Sequence, residues 1–552
     1  MENKEFAYKK NRAEGAAEET DVTVNGRILR AAKGTTLGEL LKKEGLAMPC
    51  AGMGRCGKCR VRAEGRLSEP DAVEQQKLSE QELSGNIRLA CRTVILGPCQ
   101  VEWETERDME IRLGDRASFG GGEPLFDRLG AAVDVGTTTL AAQLYGKSGL
   151  LAQTGLENPQ KAYGADVISR VERSLAGEGE ALKKAVCGGI GTLLDELAAH
   201  AGVSAEQIDT LVITGNTSML YLLTGRSPEC LSHAPFQADW LAGEWTDGKA
   251  LGLPCPDARV YFPPCISAFV GADITCAMLH TGLGESAEPE LLADIGTNGE
   301  IVLNQGGELF CCSTAAGPAF EGAGLSCGMP GKEGAIFRVE WKDGHLESSV
   351  IGGGPAKGIC GSGVVDAVSC LLQSGWLDET GFLEEDAVLA EGVELLQEDI
   401  RKIQLAKGAI SAGIRTMLHR AGLPVERLSK VLVAGGFGSS LNMKNAISIG
   451  LLPDMEKERV VICGNAALNG AADLLLDGNR RNAAEELARR TVTVALAADE
   501  YFKNSYMEGM LFLDEENGWE GEGVLLQESA CERRFCIRIR IGCRPLLKRW
   551  ER

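Results

Sequence analysis

From Asp21 the chain alternates polar and apolar residues: Asp21-Val-Thr-Val and Arg27-Ile-Leu-Arg flank Asn25-Gly26. A period of two interrupted by Asn-Gly predicts a β-hairpin closed by a type I′ turn. Thr36 opens a short amphipathic helix through Leu41, with Thr35 or Thr36 as N-cap and Gly45 as stop. A Gly/Cys loop follows. Cys59-Arg-Val-Arg-Ala then reads as a strand, and Arg88–Cys91 and Val101–Glu104 as further strand ends. This order predicts a small β-rich domain over residues 21–104, preceded by a polar, disordered N-terminus (1–20).

Residues 105–129 are charged and then glycine-rich around Gly120-Gly-Gly-Glu-Pro124, the composition of a linker with freedom to reorient. Beyond it, apolar strand-like runs alternate with helical periodicity. Ala131–Val135, Leu140–Tyr145 and Thr210–Thr214 read as strands, and Gly164 to about Leu175 and Ala181–His200 as helices. The alternation resumes at Leu291 and runs to about Leu475. Asp134-Val-Gly-Thr-Thr-Thr and Asp294-Ile-Gly-Thr-Asn-Gly share Asp-x-Gly-Thr, each after an apolar run. Such an internal echo predicts two related halves, 130–290 and 291–515. The remaining 516–552 is a basic tail: residues 531–552 hold eight Arg/Lys against two Glu.

Composition narrows the partners. The 552 residues carry 57 Lys+Arg against 78 Asp+Glu, a net charge of −21. That balance argues against nucleic acid or an anionic membrane as the main partner. There is no run of about 18 apolar residues, so no membrane span is expected. The opening MENKEFAYKK has no apolar signal region, and the expected location is cytoplasmic. In that setting the 19 cysteines read as metal ligands or buried small hydrophobes.

Cys50, Cys56, Cys59 and Cys91 form C-x5-C-x2-C followed by a distant fourth cysteine. An iron–sulfur cluster requires four thiolates, three from a tight loop and one delivered by the fold. The intervening Ala-Gly-Met-Gly-Arg and Gly-Lys leave backbone N–H groups free to face cluster sulfides. The plant-type spacing has one residue fewer in its first gap. A zinc ribbon pairs two C-x2-C units, and here there is one. The expectation is therefore a [2Fe–2S] cluster, with Cys99 a bystander.

Asp134-Val-Gly136-Thr137-Thr138-Thr139 suits a strand–turn–strand phosphate loop. Gly136 admits a phosphate to the backbone, Thr137 and Thr138 offer donors, and Asp134 is suited to a Mg²⁺-bound water. Asp294-Ile-Gly296-Thr297-Asn298-Gly299-Glu300 repeats that equipment. Val431-Leu-Val-Ala434-Gly435-Gly436-Phe437-Gly438 ends an apolar strand in a glycine pair, where an adenosine can lie against bare backbone.

With these three elements in this order, the chain resembles the actin/sugar-kinase/Hsp70 (ASKHA) ATPase superfamily. A [2Fe–2S] domain fused in front makes it similar to the reductive activators of corrinoid proteins. The same likeness extends to Asn158-Pro-Gln-x2-Tyr163-Gly-Ala-Asp-Val-Ile-Ser-Arg170, Thr214-Gly-Asn-Thr217, Ala315-Ala-Gly-Pro-Ala-Phe-Glu321 through Pro330, Gly358-Ile-Cys-Gly-Ser-Gly363 and Gly464-Asn-Ala-Ala467. The resemblance implies a multidomain α/β protein: a β-grasp ferredoxin-like domain, then a two-lobed ATPase. It implies an ATP-hydrolysing electron-transfer activator that returns a partner's Co(II) corrinoid to Co(I), with a [2Fe–2S] cluster, ATP and Mg²⁺ as cofactors. An upstream reductase or ferredoxin would supply the electron, and a homodimer is one assembly open to it. Asp294 and Glu300 are the candidates for positioning the attacking water. Ser326, in a glycine-rich run, is the candidate for the corrinoid face: a weak axial oxygen on Co(II) that leaves on reduction. The rival readings are an ATP-dependent activator of another low-potential enzyme, such as a dehydratase or reductase, and a non-catalytic ATP-binding redox scaffold. Cys531, Cys536 and Cys543 do not fit a second cluster's spacing.

Overall fold

The computed structural model describes residues 19–42, 46, 52, 54, 57, 59–102, 122–435 and 441–512. Cys50, Cys56, Gly436, Phe437, most of the N-terminal segment, the first part of the linker and the basic tail from 513 lie outside the described residues.

The first domain is a five-stranded sheet of β1 (Glu19–Val24), β2 (Arg27–Ala32), β3 (Arg60–Leu67), β4 (Ile87–Leu89) and β5 (Ile95–Glu102), in the order β2-β1-β5-β3-β4. Asn25 and Gly26 both have positive φ, 46° and 81°, as a type I′ turn requires. The Leu37–Leu41 helix is N-capped by Thr36, whose hydroxyl and Glu39 form a capping box. Two further short helices, Ala72–Lys77 and Glu80–Ser84, fill the span between β3 and β4. Glu74 in the first of them is fully buried. Its carboxylate accepts from Arg88 Nε and Nη2 (3.0 and 2.8 Å), Leu89 N (2.9 Å) and Thr93 Oγ1 (3.2 Å). A buried carboxylate needs this many partners to be tolerated. It fixes the turn that carries Cys91.

The ATPase part contains two six-stranded sheets of similar plan. The first joins β6 (Leu129–Val135), β7 (Thr139–Gly146), β8 (Gly149–Glu157), β9 (Ile208–Gly215), β10 (Glu244–Asp247) and β11 (Arg259–Phe262), ordered β10-β11-β9-β6-β7-β8. The second joins β12 (Glu290–Ile295), β13 (Gly299–Gln305), β14 (Glu308–Thr314), β20 (Lys430–Ala434), β21 (Val460–Gly464) and β22 (Thr491–Thr493), ordered β21-β20-β12-β13-β14-β22. Between β14 and β20 lie two small sheets: β15 (Ala335–Lys342), β16 (His345–Val350) and β17 (Gly358–Ile359) in one, β18 (Ala387–Ala390) and β19 (Val393–Leu395) in the other. Each large sheet begins with an antiparallel meander whose first strand takes a parallel neighbour on its other edge. The echo in the sequence is thus a repeated topology.

Three refinements follow from packing. The helix expected from Gly164 starts at Val167, because Asp166 caps it and Arg170 Nε holds the Gly164 carbonyl at 2.9 Å. The end of the expected linker is not free: Leu125 N donates to Leu475 O (2.9 Å), Arg128 N to Asp209 (2.7 Å), and Phe126 is buried. The halves also share a core that no cut at 290/291 respects. Ala132, Tyr145 and Val212 from the first sheet and Leu292, Val302 and Leu432 from the second enclose the Ala272–Thr281 and Ala466–Leu476 helices. At their crossing, a Cβ on Gly470 would sit 2.0 Å from Cys276 O, so only glycine fits.

The ferredoxin-like domain touches the first lobe through Lys42. Its ammonium is 2.8 Å from Glu178 Oε2 and 3.6 Å above the Tyr163 ring. Among the described residues, no helix is long and apolar enough to cross a membrane.

Candidate functional site

Cys59 and Cys91 are brought together by strand pairing. Arg60 is registered with Leu89, and Ala90 N donates to Cys59 O at 2.9 Å. The Cys91 thiol and backbone hydrogen-bond to Cys59 and lower its pKa to about 7, against the opposing effect of burial. A thiol biased toward thiolate is the form that ligates iron. Gly52, Gly54 and Gly57 all have positive φ (79°, 73° and 63°), the conformation that curls a loop tightly. The Cys59–Cys91 pair therefore fits cluster ligation, and the other two expected ligands, Cys50 and Cys56, lie outside the described residues. Cys99 faces the domain core from β5.

The two Asp-x-Gly-Thr turns meet across a cleft of about 1300 Å³, counted to its open mouth. Thr138 Oγ1 and Thr297 Oγ1 are 3.4 Å apart, one from each lobe. Gly136, Gly296, Asn298 and Gly435 line the same cleft. A Cβ on Gly136 would lie 2.7 Å from Thr139 O, and one on Gly435 (φ 98°) 2.5 Å from Ile295 O and 2.7 Å from Asp294 Oδ1. These glycines are demanded by the turns themselves, and they leave bare backbone facing the cleft.

Five carboxylates line the cleft: Asp134, Asp273, Asp294, Glu300 and Glu321. Burial pushes Asp134 up to about 6, against the hydrogen bond from Asn465 Nδ2 (3.1 Å). Burial and then the charges of Asp134 and Glu321 push Asp294 up to about 7. Asp273 is driven to about 8 by burial and by Asp294 and Asp134. Glu300 is raised well above the usual carboxylate range by burial, Asp273 and Asp294, although Ser313 Oγ donates to it at 3.1 Å. Four of these acids are thus raised, Asp134 by burial alone and the others by burial and neighbouring charges, yet among the described residues no three acids stand close enough to hold a metal ion directly. The cleft thus fits a polyphosphate, and its carboxylates would meet a Mg²⁺ through the ion's bound waters.

Asp134, Gly136, Thr137, Thr138, Asp294, Gly296, Thr297, Asn298, Glu300 and Gly435, all expected at a nucleotide site from the sequence, line this cleft. Asp273, Asn216, Asn465 and Glu321 line it too, without a role expected from the sequence. Both asparagines cap helices and turn their amides to the first phosphate loop, Asn216 to Thr137 Oγ1 (3.1 Å) and Asn465 to Asp134. A Gly-Asn pair after an apolar strand was the available signal. Asp273 opens the apolar 272–281 segment directly after Gly271, a weaker one. Ser326 does not line the cleft. It is exposed at the start of the Gln397–Ala421 helix, where its hydroxyl donates to Glu398 and Asp399 (both 3.2 Å) and its N–H to Asp399 (2.9 Å).

A cysteine-loop domain with a sheet of β-grasp order, ahead of two related lobes that close over an acidic phosphate cleft, defines a 2Fe–2S domain fused to an ASKHA-type ATPase fold. Residues 22–96 match the family described as 2Fe-2S iron-sulfur cluster binding domain, 129–286 the RACo middle region, and 288–520 the C-terminal domain of RACo, the ASKHA domain. The corrinoid activation enzyme RamQ of Eubacterium limosum is 35% identical over 421 residues, 70% of this chain and 70% of that protein. The [Co(II) methylated amine-specific corrinoid protein] reductase of Methanosarcina barkeri is 31% identical over 276 residues, 46% of this chain and 51% of that protein. The solved structure of a reductive activator for corrinoid, iron-sulfur protein shares 28% identity and a TM-score of 0.69, covering 90% of this chain and 98% of that one. The chain belongs to the RACo family of corrinoid activators.

Proposed function

We propose that this chain is an ATP-dependent reductive activator that passes one electron to the Co(II) corrinoid of a partner protein and restores Co(I). The observation that carries this reading is one chain holding both the Cys59–Cys91 pair and the two-hairpin phosphate cleft, in a family whose named members act on corrinoid proteins. When bound, the cluster supplies a one-electron centre, and Mg·ATP supplies the free energy that offsets part of an unfavourable reduction. The electron originates from an upstream reductase or ferredoxin.

The chain's own groups divide the work. Thr137, Thr138, Thr297 and the backbone at Gly136 and Gly296 bind phosphate oxygens. Asp134 holds the Mg²⁺ hydration shell. Asp294, with its proton affinity near neutrality, can take a proton from the attacking water. Glu300 stands behind it, opposite in the β12–β13 ladder. The adenosine lies along Gly435 and the neighbouring Gly436 and Phe437. Ser326, exposed on the second lobe, offers the weak oxygen for cobalt, and Ser326→Ala is expected to alter the Co(II) EPR spectrum of the complex.

The test is anaerobic. Reduced, cluster-loaded protein is mixed with a Co(II) corrinoid protein with and without Mg·ATP, and Co(I) is followed by absorbance. Co(I) should form with ATP and should be abolished by Cys59→Ala. Equal Co(I) yields with and without ATP would contradict the proposal.

A further inference from the structure

Among the described residues, Glu321 is the acceptor on which the hydroxyls of the two phosphate loops converge. Thr138 Oγ1 donates to its Oε2 at 2.8 Å and Thr297 Oγ1 to the same atom at 2.6 Å. Its other oxygen lies against Gly296, 3.4 Å from where a Cβ would stand. A carboxylate held by the donors of both loops occupies the position that an anionic phosphate oxygen needs. Each hydroxyl has one proton to give, so phosphate and carboxylate compete for the same bonds, and their like charges repel.

Two further features bias that competition. Arg170 is fully buried, and its guanidinium is close enough to feel the charge of Glu321. Its Nη2 has no hydrogen-bond partner among the described residues. A fixed buried cation favours the anion of higher charge. Glu321 also begins the loop that leads to Ser326. Gly322 and Gly324 there have φ of 72° and 82°, and a Cβ on Gly322 would lie 2.0 Å from Met329 O. The loop ends in the Ser326 bonds to Glu398 and Asp399.

We propose that Glu321 is the positioning residue that couples phosphate binding to the Ser326 loop. The terminal phosphate of ATP takes the Thr138 and Thr297 hydroxyls and expels the Glu321 carboxylate, and its departure displaces residues 322–328 at the proposed corrinoid face. This inference rests on the ATP-binding reading above.

The experiment measures affinities of the full-length protein for a non-hydrolysable Mg·ATP analogue and for Mg·ADP by calorimetry, with hydrogen exchange of residues 322–328 in each state. In Glu321→Gln the geometry is kept and the charge removed, and Glu321→Ala removes both. The ratio of analogue to ADP affinity should rise roughly tenfold in both variants, because repulsion no longer opposes the terminal phosphate. The analogue-induced change in exchange at 322–328, present in the parent protein, should disappear. An unchanged or lowered affinity ratio, or an exchange response that survives in the variants, overturns the coupling while leaving ATP binding intact. Failure of the parent protein to bind the analogue at all overturns the ATPase reading, and this inference with it.

Discussion

In the first phosphate hairpin, residues 136–139 separate the Val135–Leu140 pair; in the second, only residues 296–298 separate Ile295 from Gly299. The extra residue changes what faces the shared aspartate. Asp134 is registered with Ala141, whereas Asp294 is registered with Glu300. Neighbours widen the difference. Asp134 receives the Asn465 amide, which partly offsets its burial, and Asp294 receives the charges of Asp134 and Glu321. One is pushed to about 6 and the other to about 7. The same Asp-x-Gly-Thr sequence therefore specifies a backbone shape, while acid strength is assigned by residues distant in the chain. In the proposed mechanism the two similar turns take two roles, Asp134 toward a cation's water and Asp294 toward a proton.

Removing either carboxylate should break the comparison most severely. Asp134→Ala and Asp294→Ala are each expected to lower Mg·ATP hydrolysis by on the order of 10²-fold or more, measured by phosphate release, with the cluster spectrum unchanged. Retention of hydrolysis in one of them would show that a single hairpin suffices.

A smaller effect comes from pH. The folded-state pKa values of Asp134, Asp294 and Asp273, about 6, 7 and 8, all lie above the ordinary 3.8 of an aspartate. The folded protein thus binds protons that the unfolded chain releases, and these groups cost stability as pH rises from about 4 to 8. Without nucleotide, the melting temperature should fall across pH 6 to 8. Mg·ATP affinity should strengthen roughly tenfold over the same interval, because the cation needs ionised carboxylates. Calorimetry at pH 6, 7 and 8 checks the sign, and an affinity that weakens with rising pH would refute it.

Asn465→Ala should sharpen the comparison by making the hairpins alike. Without its amide donor, Asp134 should titrate nearer to Asp294, weakening Mg·ATP binding only severalfold at pH 7. The smallest effect is expected from Lys42→Ala. It removes a half-buried ion pair with Glu178 and a cation–π contact with Tyr163, together worth about 1 kcal/mol. The ferredoxin-like domain should become more protease-sensitive relative to the ATPase lobes, with nucleotide affinity unchanged.

The sequence made the local features readable and the long-range ones not. Asn25-Gly26 announces its turn because both positions need φ above zero. The two phosphate loops were legible because a short repeated turn carries its own chemistry. Nothing in the sequence marks Glu74, which is buried on Arg88, a pairing that only the fold creates. Phe126 looked like part of a linker, but it completes the inter-lobe core. Asp273 belongs to no repeat, and its proximity to Asp134 and Asp294 arises from a helix that enters the cleft between sheets. Ser326 follows the second loop in the chain, but its partners on the Gln397–Ala421 helix are more than 70 residues away in sequence.

In the proposed function, two hairpins from different lobes form one nucleotide site. Titration of Mg·ATP into the full-length protein at pH 7.5 tests this, beside Asp134→Ala and Gly296→Val, whose added side chain would fill the second phosphate loop. One nucleotide per chain should bind the parent protein, and the heat should be lost in both variants. Two sites per chain, or a site that persists when either hairpin is disabled, would contradict it.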